Sequence, residues 1–193
     1  MKMRLILILA SLIPVLASGE SATGSQGPPV LSPEDLENYQ FNNPVKVKPA
    51  KIKDLNVGQK FILDSNRQNI KDLMIRRLGI VTIKQDMSDL KKIQQAVDRK
   101  IIRNDDVEQW QALGVVFGDV LSQELGLHWI SYKDELGVSK ALRWKKTENY
   151  VFPVTMLSKR VQFREKIDVF AIFEKIKLDI VAFKRYEQLH GRI

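Results

Sequence analysis

Apolar positions in the first half of the chain follow a helical period. Ile70, Leu73, Met74 and Leu78 fall at i, i+3, i+4 and i+8 and are closed by Gly79, which predicts a helix from about Asn66. Upstream, Val45 to Pro49 alternates in the manner of a brief strand, and Lys60 to Asp64 reads as another. Gly79 to Ile83 is rich in β-branched residues and reads as a strand or a bridge. Asp86-Met87-Ser88-Asp89 is placed to cap a second helix, with Leu90, Ile93, Val97 and Ile101 on one side. A break at Arg103-Asn104-Asp105 opens a third, from about Asp106 to Gln123, whose Val107, Trp110, Leu113, Phe117 and Leu121 share a face.

The period then drops to two. His128 to Lys133 and Val138 to Trp144 flank Asp134-Glu135-Leu136-Gly137, the pattern of a β-hairpin. Tyr150 to Pro153 is a third short strand ended by Pro153. Thr155 is placed to cap a brief helical turn from Met156 to Arg160. A long amphipathic helix follows from about Lys166, with Val169, Ile172, Phe173, Ile176, Ile180 and Phe183 on its inner face. The expected fold is α+β: N-terminal helices, a small antiparallel β-sheet made of the hairpin plus a third strand, and a long C-terminal helix.

The start of the chain changes this picture. Met1-Lys2-Met3-Arg4 is cationic, Leu5 to Leu16 is apolar, and Val15-Leu16-Ala17 offers small residues for cleavage. Residues 1–17 are therefore read as a secretory signal peptide, with an uncleaved anchor as the alternative. The apolar run is shorter than the roughly 20 residues that span a bilayer. Residues 18–33 form a small, polar, Gly/Pro-rich leader. Ser32-Pro33-Glu34-Asp35 then resembles a helix start, stopped by Asn42-Asn43-Pro44. Residues 34–85 are expected to be an N-terminal extension packed on an α+β domain at 86–193. The localisation this implies is periplasmic or secreted, with no integral membrane segment after signal cleavage.

Composition narrows the chemistry. The 193 residues are 44% hydrophobic and 28% charged, enough to build a core, and they contain no cysteine. That excludes a lipid anchor on cysteine and leaves an exported domain without disulfides. The formal charge is +8, but the lysines and arginines are spread out rather than gathered in a stripe, and export removes the chain from nucleic acid. With His128 and His190 as its histidines and no His-x-x-x-His pair, the chain presents no metal-ligand set. Neither a phosphate-cradling glycine loop nor a Gly-x-Ser-x-Gly motif is present, so no cofactor and no catalytic residue is assigned.

Gly114 and Gly118, one turn apart inside the third helix, are read as packing glycines that admit a neighbouring element. Asp119 is placed at the rim of that buried face, bonding a lysine, an arginine or a tight turn. Trp129 is read as a core anchor whose N–H finds one partner. Asp134 to Gly137 is a turn, Gly126 a helix stop, and Pro153 leads into the turn that holds Lys159 and Arg160. Arg160 is expected to pair with Asp119 or Asp134.

From about Asp86 to Phe173 the chain resembles a domain family of unknown function found in proteobacterial, often exported, proteins. Residues 113–119 (LGVVFGD), 126–129 (GLHW), 134–137 (DELG) and Phe152-Pro153 through Lys159-Arg160 carry the resemblance. It implies a fold and no established activity. The candidate binding residues are Asp119, Trp129, Asp134, Glu135, Lys159 and Arg160, and Gly114, Gly118, Gly126, Gly137 and Pro153 are the structural ones. The favoured function is a non-catalytic periplasmic interaction protein whose partner is a protein or cell-envelope component. Three alternatives remain: an immunity-type inhibitor of a secreted toxin, an envelope hydrolase using Asp119, Glu124 or Glu135, and a surface binder of anionic lipid or polysaccharide.

Overall fold

The computed structural model describes residues 49–190. The signal-like segment, the leader and the helix start at Ser32 lie outside the described residues, as does all of the Val45–Pro49 stretch except Pro49. Within them, β1 (Lys51–Asp54) leads into α1 (Val57–Leu78), α2 (Ser88–Asp98) and α3 (Val107–Leu125). Then come β2 (His128–Asp134), β3 (Gly137–Arg143), β4 (Tyr150–Val151), α4 (Pro153–Gln162) and α5 (Val169–Leu189). The class is α+β, with helices first, a small antiparallel sheet in the middle and a long helix at the end.

The sheet has four strands in the order β1-β2-β3-β4. β2 and β3 form the expected hairpin, with Asp134 opposite Gly137 and only Glu135 and Leu136 between. Asp134 Oδ1 accepts from the Leu136 and Gly137 N–H groups, which closes the turn. β1 adds to the outer edge of β2, Lys51 opposite Lys133 and Asp54 opposite Ile130. This fourth strand carries one apolar residue in four, so alternation gives no sign of it.

Two N-terminal expectations are overturned. Lys60 to Asp64 is not a strand but the second turn of α1, which begins nine residues before Asn66. The cause is a capping box: Asn56 Oδ1 accepts from the Gln59 N–H at 2.8 Å, and Gln59 Oε1 accepts from the Asn56 N–H at 3.0 Å. Leu63 then falls in phase with Ile70 and Met74 on the buried side, while Phe61 and Ile62 point to solvent. Gly79 to Ile83 is neither strand nor bridge. Gly79 sits at φ +68° as the α1 C-cap, and the loop after it runs on to α2.

α3 is the centre of the core. Every residue from Ala112 to Leu121 is buried, so this helix is covered on all sides rather than along one face, and Val107 at its start is exposed. α1, α2, α4 and α5 all pack on it. Gly126 ends it in the left-handed conformation, and the Lys184 ammonium donates to the Leu125 carbonyl oxygen at 2.6 Å. α4 starts earlier than expected, with Pro153 rather than Thr155 at its N-terminus, the position where a missing N–H costs nothing.

Candidate functional site

Asp119 lies inside the fold, 6% exposed. Arg67, on α1, donates from Nε to Oδ2 and from Nη2 to Oδ1, both at 2.7 Å, a two-pronged pair across 52 residues of sequence. Trp129 Nε1 donates to Oδ1 at 3.0 Å. The carboxylate holds the Arg67 guanidinium above its ordinary range chiefly through that hydrogen bond, with Asp64 adding a smaller contribution. Both oxygens are engaged, and the cluster joins α1, α3 and β2.

The glycines beside it explain how Trp129 reaches. A Cβ on Gly118 would lie 2.5 Å from Trp129 Cζ2 and 2.7 Å from Pro153 Cγ, so the indole and the proline ring occupy the space a side chain would need. At Gly114 a Cβ would come within 2.7 Å of the Val154 carbonyl oxygen and closer still to that of Pro153. Backbone of α4 therefore sits directly on α3.

The remaining predicted residues do not converge on this cluster. Arg160 does not pair with Asp119 or Asp134. Its Nη1 donates to the Met156 carbonyl oxygen, and its nearest carboxylate is Glu165 at 3.9 Å. Asp119 is already saturated by a residue from another helix, and Asp134 is spent on the hairpin turn. Glu135 is exposed at the hairpin tip, and Glu124, in the last turn of α3, accepts from the Met87 N–H. Asp119, Glu124 and Glu135 thus occupy three separate places. Among the described residues no group of three or more His, Cys, Asp or Glu is gathered as a metal site.

Lys159 and Arg160 do border a hollow of about 360 Å³ together with Tyr150, Val151, Phe152 and Met156. Tyr132 packs edge-on against both Tyr150 and Phe152, with centroids 4.9 and 5.2 Å away. Aromatic walls beside two cations make this a secondary candidate.

Another cleft lies elsewhere. A groove of about 470 Å³ runs between α1 and α3. One side is a single face of α1, Ile62, Asn66, Asn69, Leu73 and Arg76, at spacings of three and four. That face spans about 21 Å at 1.5 Å per residue. Glu108, Gln111 and Ala112 of α3 form the other side, and Lys140 of β3 reaches one end. Neither Arg76 nor Lys140 is in an ion pair among the described residues. Sequence reading missed this site because its α1 wall lies partly in the stretch taken for a strand.

Comparison with known proteins adds a domain and a fold. Residues 89–173 match the family described as Domain of unknown function (DUF3806). No curated protein matches the chain. The fold resembles a crystal structure of a protein from Bacteroides thetaiotaomicron VPI-5482, with a TM-score of 0.61 at 16% identity, over 69% of this chain and 49% of that one. The chain thus spans about half the length of that protein. Arg67 and the α1 wall of the groove precede the matched stretch, while Asp119, Trp129 and the hollow fall within it.

Proposed function

We propose that this chain is an exported interaction module that holds an extended polar segment of a protein or cell-envelope component in the α1–α3 groove. The carrying observation is the groove itself: an open cleft about 21 Å long, the length of roughly six extended residues. Asn66, Asn69 and Gln111 offer both donors and acceptors, as a peptide backbone requires, and the exposed Ile62 adds apolar surface. Arg76 and Lys140 share the lining with Asp72, Asp106 and Glu108, so the groove offers charges of both signs to a polar segment. Export rests on residues 1–17, and mature protein recovered outside the cytoplasm should begin at Ser18.

The test is quantitative capture from envelope extracts by the tagged protein, compared with the Asn66→Ala/Asn69→Ala and Lys140→Ala variants. Among the described residues these side chains make no hydrogen bond that Ala would remove, so stability should hold while a specific partner is lost. A partner retained at full yield by both variants would sink the groove reading. Binding of an anionic polysaccharide at the hollow is the second reading, favoured by Tyr150, Phe152, Lys159 and Arg160. It predicts retention that fades with salt and with Lys159→Ala/Arg160→Ala.

A further inference from the structure

α5 buries Val169, Phe173, Ile176 and Ile180 against the core, yet a second stripe on the helix is left uncovered. Phe170, Leu178, Val181 and Leu189 are 43%, 67%, 54% and 74% exposed, too many large apolar groups on one helix to be scattered surface residues. Glu174 and Arg185 lie in the same stripe, about 100° wide and centred roughly 140° round the helix from the buried one. Between Ala171 and Gln188 at its edges, the stripe reads Phe170, Glu174, Leu178, Val181, Arg185, Leu189, at spacings of 4, 4, 3, 4 and 4.

That order has a symmetry. Reversing the helix about a point between Asp179 and Ile180 puts Phe170 opposite Leu189, Leu178 opposite Val181, and Glu174 opposite Arg185. In these three pairs apolar meets apolar and acid meets base, with Ala171 opposite Gln188 at the edges, which is the condition for a patch to pair with itself across a two-fold axis. Spacings of three and four are those of helices packed nearly antiparallel along a seam. Among the described residues Glu174 pairs only with Lys177, at 3.2 Å and in an exposed pair of little strength, and Arg185 forms no ion pair.

We infer that α5 is a dimer interface whose occupant is α5 of a second copy, antiparallel, with Glu174 of each copy against Arg185 of the other. This is independent of the groove reading, since α5 contributes nothing to that cleft.

Sedimentation equilibrium of the full-length chain over roughly 1–100 µM tests it, the range in which a small specific interface dissociates. The wild type should show a concentration-dependent monomer–dimer equilibrium. Leu178→Asp should weaken it at least about a hundredfold, by setting a charge in the apolar centre. Glu174→Arg and Arg185→Glu should each weaken it by about tenfold, because each places two like-charged pairs across the axis. The decisive arm is reciprocal: the Glu174→Arg/Arg185→Glu double variant should dimerise as the wild type does, and an equimolar mixture of the two single variants should form the heterodimer. These side chains are exposed, so unchanged circular dichroism is expected throughout. A wild type that is monomeric over the whole range would overturn the inference, as would a dimer indifferent to Leu178→Asp or single-variant losses without reciprocal rescue.

Discussion

Asp119 and Asp89 are both carboxylates taken out of water, 6% and 1% exposed, but their partners come from opposite distances. Asp89 is satisfied locally. Its Oδ2 accepts from the Lys84 and Gln85 N–H groups at 2.8 and 2.6 Å, and its Oδ1 accepts from Lys92 Nζ at 2.6 Å, one turn along α2. The same ammonium donates to the Thr82 carbonyl oxygen, so one ion pair ties down the loop between α1 and α2, including Gln85 at φ +64°. Asp119 is satisfied from afar, by a guanidinium 52 residues away and an indole on β2. A local carboxylate shapes a loop, whereas a distant one ties together elements that would otherwise be independent. Each should fail in its own way.

Losing the distant partner should matter most. Arg67→Met leaves Asp119 buried with the indole N–H alone, and a cost of about 3–5 kcal/mol is expected from an uncompensated interior charge, read as a fall in the urea midpoint. Asp89→Ala removes three bonds, two of them from backbone, and should cost about 2–3 kcal/mol, with faster hydrogen exchange confined to residues 80–87. Equal exchange across the fold after Asp89→Ala would erase the distinction between the two aspartates. Gly118→Ala should cost about 1–3 kcal/mol by pushing the Trp129 indole away from Asp119, visible as a change in tryptophan fluorescence.

The smallest effect concerns Lys184, a partly buried cation held by a carbonyl and facing the Trp144 ring at 5.2 Å, with Lys145 Nζ 4.9 Å from the same ring. Burial first, and the Lys145 charge second, push its pKa below the ordinary lysine value of 10.5. Its folded form binds a proton less tightly than its unfolded form, so the penalty is present at neutral pH and vanishes as pH rises through 10.5. Lys145→Gln should raise the Nζ titration midpoint of Lys184 slightly in NMR, without reaching the ordinary value.

Much of this architecture is written in short-range pattern. The hairpin needs only the alternation around Asp134 and Gly137, and α5 shows its buried face in Val169, Phe173, Ile176 and Ile180. The start of α1 was also encoded locally, in Asn56 and Gln59, but the apolar cluster Phe61-Ile62-Leu63 mimics a strand. β1 escapes because an edge strand with both faces wet needs no alternation. The helix period places Asp119 only at the rim of a buried face, with a lysine, an arginine or a tight turn as its partner, whereas the carboxylate lies inside the fold. Which cation it takes could not be read, because Arg67 and Arg160 differ only in where the chain carries them. The groove was hidden for the same reason, since its walls belong to two helices and a strand.

Arg67 and Asp119 tie α1 into the matched domain, and on the proposed reading the scaffold so made presents the groove. A double-mutant cycle on Arg67→Met and Asp119→Leu, followed by urea denaturation, measures that link directly. A coupling of about 2 kcal/mol or more is predicted, with the double variant more stable than Arg67→Met alone. Coupling near zero, or a larger value for Asp119 with Arg160, would contradict it.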